Sequence, residues 1–491
     1  MAQKIVNIAR NTSYYTLSLV LQKIVSLAYF TVLARALPPS ELGKYYFAIS
    51  YTTVFGIFID IGLLNFLTRE IARIGANHEL NEDEKREQRQ KFFSTIFMFK
   101  FVAAFVVFIV LAVIIKTLGY SDEIRNLIYL SAISMMLDAL AITQHAIMRG
   151  LHNLKYESIS ALIYQFIILI FGAIAVKLDL GLYLQMLVVV FASAVNFIFP
   201  YVVLRIKVNL RLFQKFDFSL LKKIIIITLP FSVFAIAQRF YSYLDTIMLS
   251  KIAGDVEVGI YQVPFKIITA LQFLPMAFTA SLYPAFSNYW HTNKEQLANS
   301  FERAMNYLLI ISVPISIGTI AIADKIVIVF SQHYIGSIQP LRITMASLVF
   351  IFLLFPIGAL FNATDNQKVN TKIMIYGLST SFILNLILIP QLKSTGASIT
   401  VLVTNALMFV LSIIKIPSIV KYQPKKNLVV FLKTLFSAAV MSIVVIFLKQ
   451  SLNVIIVVGI GAAVYFIIQF MIKTFQIDDV QSIIKSFKKS E

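Results

Sequence analysis

The chain has no cysteine, a single tryptophan, and only 24 acidic residues against 43 basic ones among 491. Without cysteine there are no disulfides, no thiolate metal sites and no cysteine nucleophile. Charge is scarce as well: 14% of residues are charged and 59% are hydrophobic. A soluble chain of this length cannot bury that much apolar surface in one core. The expected fold class is therefore all-α integral membrane.

The formal net charge of +19 does not point to nucleic acid, because the basic residues follow the apolar runs. Runs of about twenty apolar residues cross roughly 30 Å of hydrocarbon. They are expected near 12–34, 42–64, 92–115, 126–148, 157–176, 182–204, 224–250, 260–282, 304–323, 341–362, 371–390, 396–416, 428–448 and 453–472, about 14 transmembrane helices. The first run is too long for a cleavable signal peptide and lacks a small-residue cleavage site, so it reads as the first span. With both termini cytoplasmic, 28 of the 43 Lys and Arg fall at cytoplasmic ends and loops, 10 on the opposite side and five within spans. The positive-inside rule then sets the orientation in the cell membrane. The cytoplasmic clusters include Arg69, Arg73, Lys85, Arg86 and Arg89, the stretch from Arg205 to Lys223, and Lys485, Lys488 and Lys489. The polar segment Thr68 to Lys91 is expected to be a cytoplasmic surface helix, since its charge density forbids burial in lipid.

Residues 22–45 reappear at 238–261, displaced by 216 positions. Gln22, Lys23, Ser26, Leu33, Arg35, Glu41, Gly43 and Tyr45 face Gln238, Arg239, Ser242, Leu249, Lys251, Glu257, Gly259 and Tyr261. Six pairs are identical and two exchange Arg with Lys. Self-similarity at a fixed displacement marks a duplicated unit. Both copies begin on the same side, so the repeats are parallel. The expected organisation is an N-terminal lobe of spans 1–6 (1–210), a C-terminal lobe of spans 7–12 (211–423), and an extra helix pair with a basic tail (424–491).

No catalytic constellation is visible. The five histidines, His78, His145, His152, His291 and His333, lack metal spacing. Short external loops leave no place for an active site on a lipid-linked sugar, so an enzyme is not expected, nor a cofactor or metal. The informative residues are charges within spans. Lys23 lies about twelve residues into span one, deep in the bilayer at ~1.5 Å per residue. Arg239 holds the matching position in span seven. Such a charge costs several kcal/mol unless it faces water or a partner. Tyr15, Ser18, Gln22, Ser26 and Tyr29 form one helical stripe; Gln238, Ser242, Asp245 and Leu249 form another. One reading has both stripes facing a cavity between the lobes, with Lys23, Arg239, Gln22, Gln238 and Lys266 binding substrate. The other has Lys23 and Arg239 fixing helix packing by pairing with Asp60, Asp138 or Asp245. Those carboxylates are also the candidates for ion coupling. Pro230, Pro264, Pro275, Pro314 and Pro356 interrupt later spans and kink them.

Several motifs resemble a known family. They are Tyr283-Pro284-Ala285-Phe286-Ser287, Glu302 to Tyr307, Pro314-Ile315-Ser316-Ile317-Gly318, and Asp324-Lys325-Ile326 followed by Phe330, Tyr334 and Leu341. To these add Glu41 to Tyr46, Arg149-Gly150-Leu151 with Lys155, and Ala363-Thr364-Asp365 with Lys368. Over nearly the full chain they resemble the polysaccharide transporter (O-antigen flippase-like) family of the multidrug/oligosaccharidyl-lipid/polysaccharide exporter superfamily. The resemblance implies two lobes in twelve to fourteen spans. It also implies a flippase moving an isoprenoid-pyrophosphate-linked oligosaccharide from the cytoplasmic to the outer leaflet by alternating access. The partners it implies are the lipid-linked oligosaccharide, membrane lipid, and glycan polymerase and assembly proteins. Lys and Arg suit a pyrophosphate. Two alternatives on the same fold are an ion-coupled multidrug antiporter, which favours carboxylates and aromatics, and a peptidoglycan-precursor flippase.

Overall fold

A computed structural model describes residues 2–474, with side chains described for 14–229 and 232–474. The expected tail cations Lys485, Lys488 and Lys489 lie outside the described residues. The chain divides into two compact units, Met1–Ser250 and Lys251–Glu491. Among the described residues every regular element is helical.

The first unit contains α1 (Ala2–Ala36), α2 (Pro39–Asp60), α3 (Leu63–Ala76), α4 (Glu82–Thr117), α5 (Asp122–Gly150), α6 (Leu154–Lys177), α7 (Gly181–Lys207) and nearly all of α8 (Phe218–Ile252). Their starts follow local chemistry. Pro39 opens α2 with φ already set for a helix. Asn81 and Glu84 form a reciprocal capping box at the start of α4, each side chain accepting from the other's amide at 2.9 Å. The inward stripe of α4 is Ala104, Val107, Leu111 and Ile115, whereas Phe105, Val106, Ile109 and Val113 are exposed. That pattern suits a helix whose outer face meets lipid. α5 sits centrally, packed on α2, α3, α4 and α7, and α1 lies along α6. α8 joins this unit through Ile224, buried in the cluster of α3, α4, α5 and α7, and through Ser232, whose hydroxyl donates to the Ile61 carbonyl at 3.0 Å.

The second unit contains α9 (Asp255–Leu271), α10 (Phe273–Thr292), α11 (Lys294–Ala321), α12 (Ala323–Phe330), a 3-10 turn (Gln332–Ser337), α13 (Ile338–Ala346), α14 (Leu348–Ala363), α15 (Gln367–Lys415), α16 (Pro424–Leu448) and α17 (Val454–Met471). α11 packs on α14 and α16, and α17 packs on α16. Lys449 closes α16 by donating to both Asp324 oxygens at 2.9 and 3.0 Å and to the Ala321 carbonyl at 3.1 Å. At the other end, the Gln423 amide donates to Glu302 at 2.9 Å.

Eleven helices are long and apolar enough to span a bilayer, or thirteen if each of two bent pairs counts as one span. That range does not confirm the expected fourteen, and it counts the 52 residues of Gln367–Ser418 once. The expected spans 371–390 and 396–416 are the two helical arms of α15, separated by a kink at Lys393, where the backbone leaves helical geometry (φ 53°, ψ −129°). There Gly396 passes so close to the Leu388 carbonyl that a Cβ would overlap it. The expected surface helix Thr68–Lys91 is also divided. Its first part ends α3, which is bent 43° from α2, and its last part is the polar first turns of α4. Charges near a bilayer surface are tolerated at the end of a long span, so the segment needs no helix of its own.

The displacement seen in the sequence recurs in the backbone. α1 and α8 each have 35 residues, and both their ends differ by 216, as do the starts of α2 and α9. Further along, the left-handed residues His152 and Asp365 follow α5 and α14. Left-handed Asp179, between α6 and α7, has its counterpart in Lys393 inside α15.

Candidate functional site

Charged and polar side chains within the first unit fall into satisfied and unsatisfied groups. Lys100 of α4 is 1% exposed and is ion-paired with Asp60 at the end of α2. Asp60 comes to Lys100 because α2 stops there, the chain turning through left-handed Ile61 and Gly62. Arg149 ends α5 and grips Glu157 of α6, its Nε lying 2.9 and 2.8 Å from the two carboxylate oxygens. The Tyr15 ring of α1 lies 5.7 Å from the same guanidinium. His145, one turn earlier, is buried with Nε2 unpartnered.

Asp138 has a different setting. Ser193 and Asn196 of α7 donate to its two oxygens at 3.0 and 3.2 Å. Ser134 and Ser193 share a 2.7 Å bond, and Ser160 donates to Asn196 at 2.8 Å. No cation pairs with this carboxylate among the described residues. Hydroxyls and an amide therefore carry what a lysine carries at Asp60.

Lys23 is half-buried in α1 and makes no hydrogen bond or ion pair among the described residues. Gln22 is half-buried beside it. Gln238 and Arg239 are exposed on α8, and Arg239 bonds the Tyr243 hydroxyl one turn on. Asp245 is buried. Lys266 is half-buried in α9, two residues after buried Pro264. No ion pair joins Lys23 or Arg239 to Asp60 or Asp138. Part of the expected α1 stripe is a packing face: Ser18 and Tyr29 are buried, whereas Tyr15, Gln22 and Ser26 are half-buried. The Tyr29 hydroxyl meets Gln185 at 3.2 Å and Tyr45 at 3.3 Å. Tyr29 also fills the space left by Gly172 of α6. Lys23 sits on the flank of that face.

Sequence reasoning did not single out Lys100, although it interrupts the apolar run Phe97 to Phe105. The hydroxyl cluster around Asp138 had no such signal, since Ser193 and Asn196 come from another helix. No group of three or more His, Asp or Glu is placed to hold a metal among the described residues.

The described helices, with inward charges and exposed apolar residues, are those of a multi-pass membrane protein. The chain belongs to the polysaccharide biosynthesis protein family, whose profile matches residues 8–290, and a MatE profile matches residues 230–390. It is thus a transporter of the multidrug/oligosaccharidyl-lipid/polysaccharide exporter superfamily. An uncharacterized membrane protein of Methanocaldococcus jannaschii is 24% identical, with 98% of each chain aligned. A probable flippase of Haloferax volcanii is 27% identical over 38% of this chain and 40% of its own. The solved lipid II flippase MurJ in an inward closed conformation shares the fold at TM-score 0.73 and 14% identity, covering 94% of this chain and 98% of its own. An inward-facing MATE multidrug transporter does so at TM-score 0.66 and 16% identity, covering 81% and 95%.

Proposed function

We propose that the protein flips an isoprenoid-pyrophosphate-linked oligosaccharide from the cytoplasmic to the outer leaflet of the cell membrane by alternating access, with both termini cytoplasmic. The reading rests above all on Lys23, a cation inside a spanning helix with no carboxylate partner among the described residues. A half-buried ammonium at that depth costs several kcal/mol unless an anion or water meets it, and a pyrophosphate is such an anion. Arg239, Gln22, Gln238 and Lys266 are the further binding residues. Spans 1–6 and 7–12 act as the two repeats, and the last two helices are additional. Nothing covalent happens to the substrate, so no catalytic residue is required. The lipid-linked substrate and the flippase activity of the relatives support this assignment.

Asp138, held by hydroxyls and an amide with no ion pair among the described residues, favours a second role on the same fold, coupling of transport to a proton or a monovalent cation. Asp60, already neutralised by Lys100, is left with the ion-pair role. A reconstituted assay scoring lipid-linked glycan in the outer leaflet tests the proposal. The double variant Lys23→Gln, Arg239→Gln inserts normally and loses flipping; full activity overturns the assignment. Efflux of a cationic dye, dependent on Asp138 and indifferent to Lys23, identifies the multidrug antiporter instead. Transport of a peptidoglycan precursor alone identifies that flippase.

A further inference from the structure

The segment between α7 and α8 is strapped to α4. Gln90 accepts from the Arg211 amide at 2.8 Å and donates to the Arg211 carbonyl at 2.7 Å. Ser94 donates to the Lys215 carbonyl at 2.9 Å, and the Asp217 amide donates to Thr95 at 3.3 Å. Leu210 is fully buried in the cluster formed by α3, α4, α5 and α7. Leu212 also packs on this cluster, and the Phe213 ring meets Phe97 and Phe101 of α4 edge-on at 5.6 and 5.5 Å while keeping one side outward. Phe213, Phe216 and Phe218 are 57%, 45% and 71% exposed.

The cations of this face are only partly neutralised. Lys215 meets Glu87 at 3.4 Å and Lys91 meets Asp217 at 2.7 Å. Arg211, Lys222 and Lys223 are exposed, and their side chains make no ion pair among the described residues. The same holds for Arg86, one turn before Gln90. The acidic first turn of α4, Glu82 to Glu84, lies two turns from Gln90 and is occupied by Lys85 and the capping box. In the first half of α8 (Phe218–Leu229), Leu221, Ile224 and Thr228 are buried, leaving Lys222 and Lys223 outward with Ile226 and Ile227.

We infer that residues 209–229 form a binding surface for anionic phospholipid headgroups, with Arg211, Lys222 and Lys223 holding phosphate and Phe213, Phe216 and Phe218 seated among the acyl chains. Basic and aromatic residues interleaved on one exposed surface match the boundary between headgroup and hydrocarbon. A soluble polyanion would satisfy the cations but leave Phe216, Phe218 and the outer side of Phe213 in water, so a lipid is the better occupant. α8 follows directly, its buried Ile224 joining the same cluster as Leu210. A headgroup held here therefore lies beside the outward face of the first half of α8. The inference is independent of the transported substrate.

Native mass spectrometry of the full-length protein from mixed phosphatidylglycerol and phosphatidylcholine vesicles tests it. Each cation beside an anionic surface is worth roughly a factor of five. The variant R211Q/K222Q/K223Q lowers retained phosphatidylglycerol relative to phosphatidylcholine at least about tenfold. R211K/K222R/K223R keeps it, and K415Q/K421Q/K425Q, with the same change in net charge, changes it less than about twofold. Equal losses in the two Gln variants, or none in the first, overturn the proposal. If the first variant does not assemble, photo-crosslinking phosphatidylglycerol on the unaltered protein decides: crosslinks within 205–223 support the surface, and their absence there overturns it. Complete displacement of the lipid by inorganic pyrophosphate reassigns the surface to a soluble anion and likewise overturns it.

Discussion

Lys100 and Lys23 are both lysines inside long apolar helices, and their surroundings separate them. Lys100 is 1% exposed and ion-paired with Asp60. Lys23 is half-buried on the flank of α1 with no partner among the described residues. The first has exchanged water for a carboxylate within the bundle. The second has lost part of its water and gained nothing in return. Depth in the membrane gives both a cost, but the partner decides whether that cost is settled within the fold or left for a ligand.

The largest effect should come from breaking the settled pair. Lys100→Met strands Asp60 and lowers stability by about 3–5 kcal/mol, read as a thermal unfolding shift of the purified protein. Adding Asp60→Leu removes the stranded charge and restores most of the loss. Lys23→Met, by contrast, leaves unfolding within about 1 kcal/mol of the unaltered protein. An equal loss at both lysines would erase the distinction between them.

A smaller effect tests whether the α1 polar stripe is a packing face. At Gly172 a side chain would overlap the Tyr29 ring. Gly172→Ala therefore separates α1 from α6 and costs about 1–3 kcal/mol. Unchanged stability would return Tyr29 to the substrate-facing role expected from its periodicity.

The smallest effect concerns a satisfied pair outside the spans. Partial burial disfavours the charged Asp324 carboxylate, but hydrogen bonding and attraction from Lys449 outweigh this and hold its pKa below the usual value. A depressed carboxyl pKa contributes stability above the unfolded value, and that contribution is lost as pH falls through the folded one. The C-terminal end of α16 should loosen on acidification below about pH 4, seen as faster amide exchange near 446–452. Lys449→Gln should abolish that pH dependence.

Much of the helical frame was legible because lipid imposes a length and an outward polarity on each span. The runs at 92–115, 126–148 and 428–448 fall within α4, α5 and α16. Breaks were harder to read. Asp60-Ile61-Gly62 lies within an apolar run, and hydropathy does not register a left-handed residue. At 390–396, by contrast, the two expected spans are helical arms that meet in a kink at Lys393. Of the candidate site residues, Lys23 and Arg239 stood out in the sequence because scarce charges repeat at one displacement. Lys100 lay outside that repeat and went unremarked.

By itself the sequence determined a membrane-spanning helical chain, a segment that recurs 216 residues on, and scarce cations placed within apolar runs. These follow from local composition and spacing, which tertiary contacts do not alter. Only the tertiary structure decided that Asp60 belongs to Lys100, that hydroxyls and an amide surround Asp138, and that Tyr29 packs against α6. Each of those facts joins side chains from helices distant along the chain, and periodicity within one helix cannot say which neighbour its face will meet.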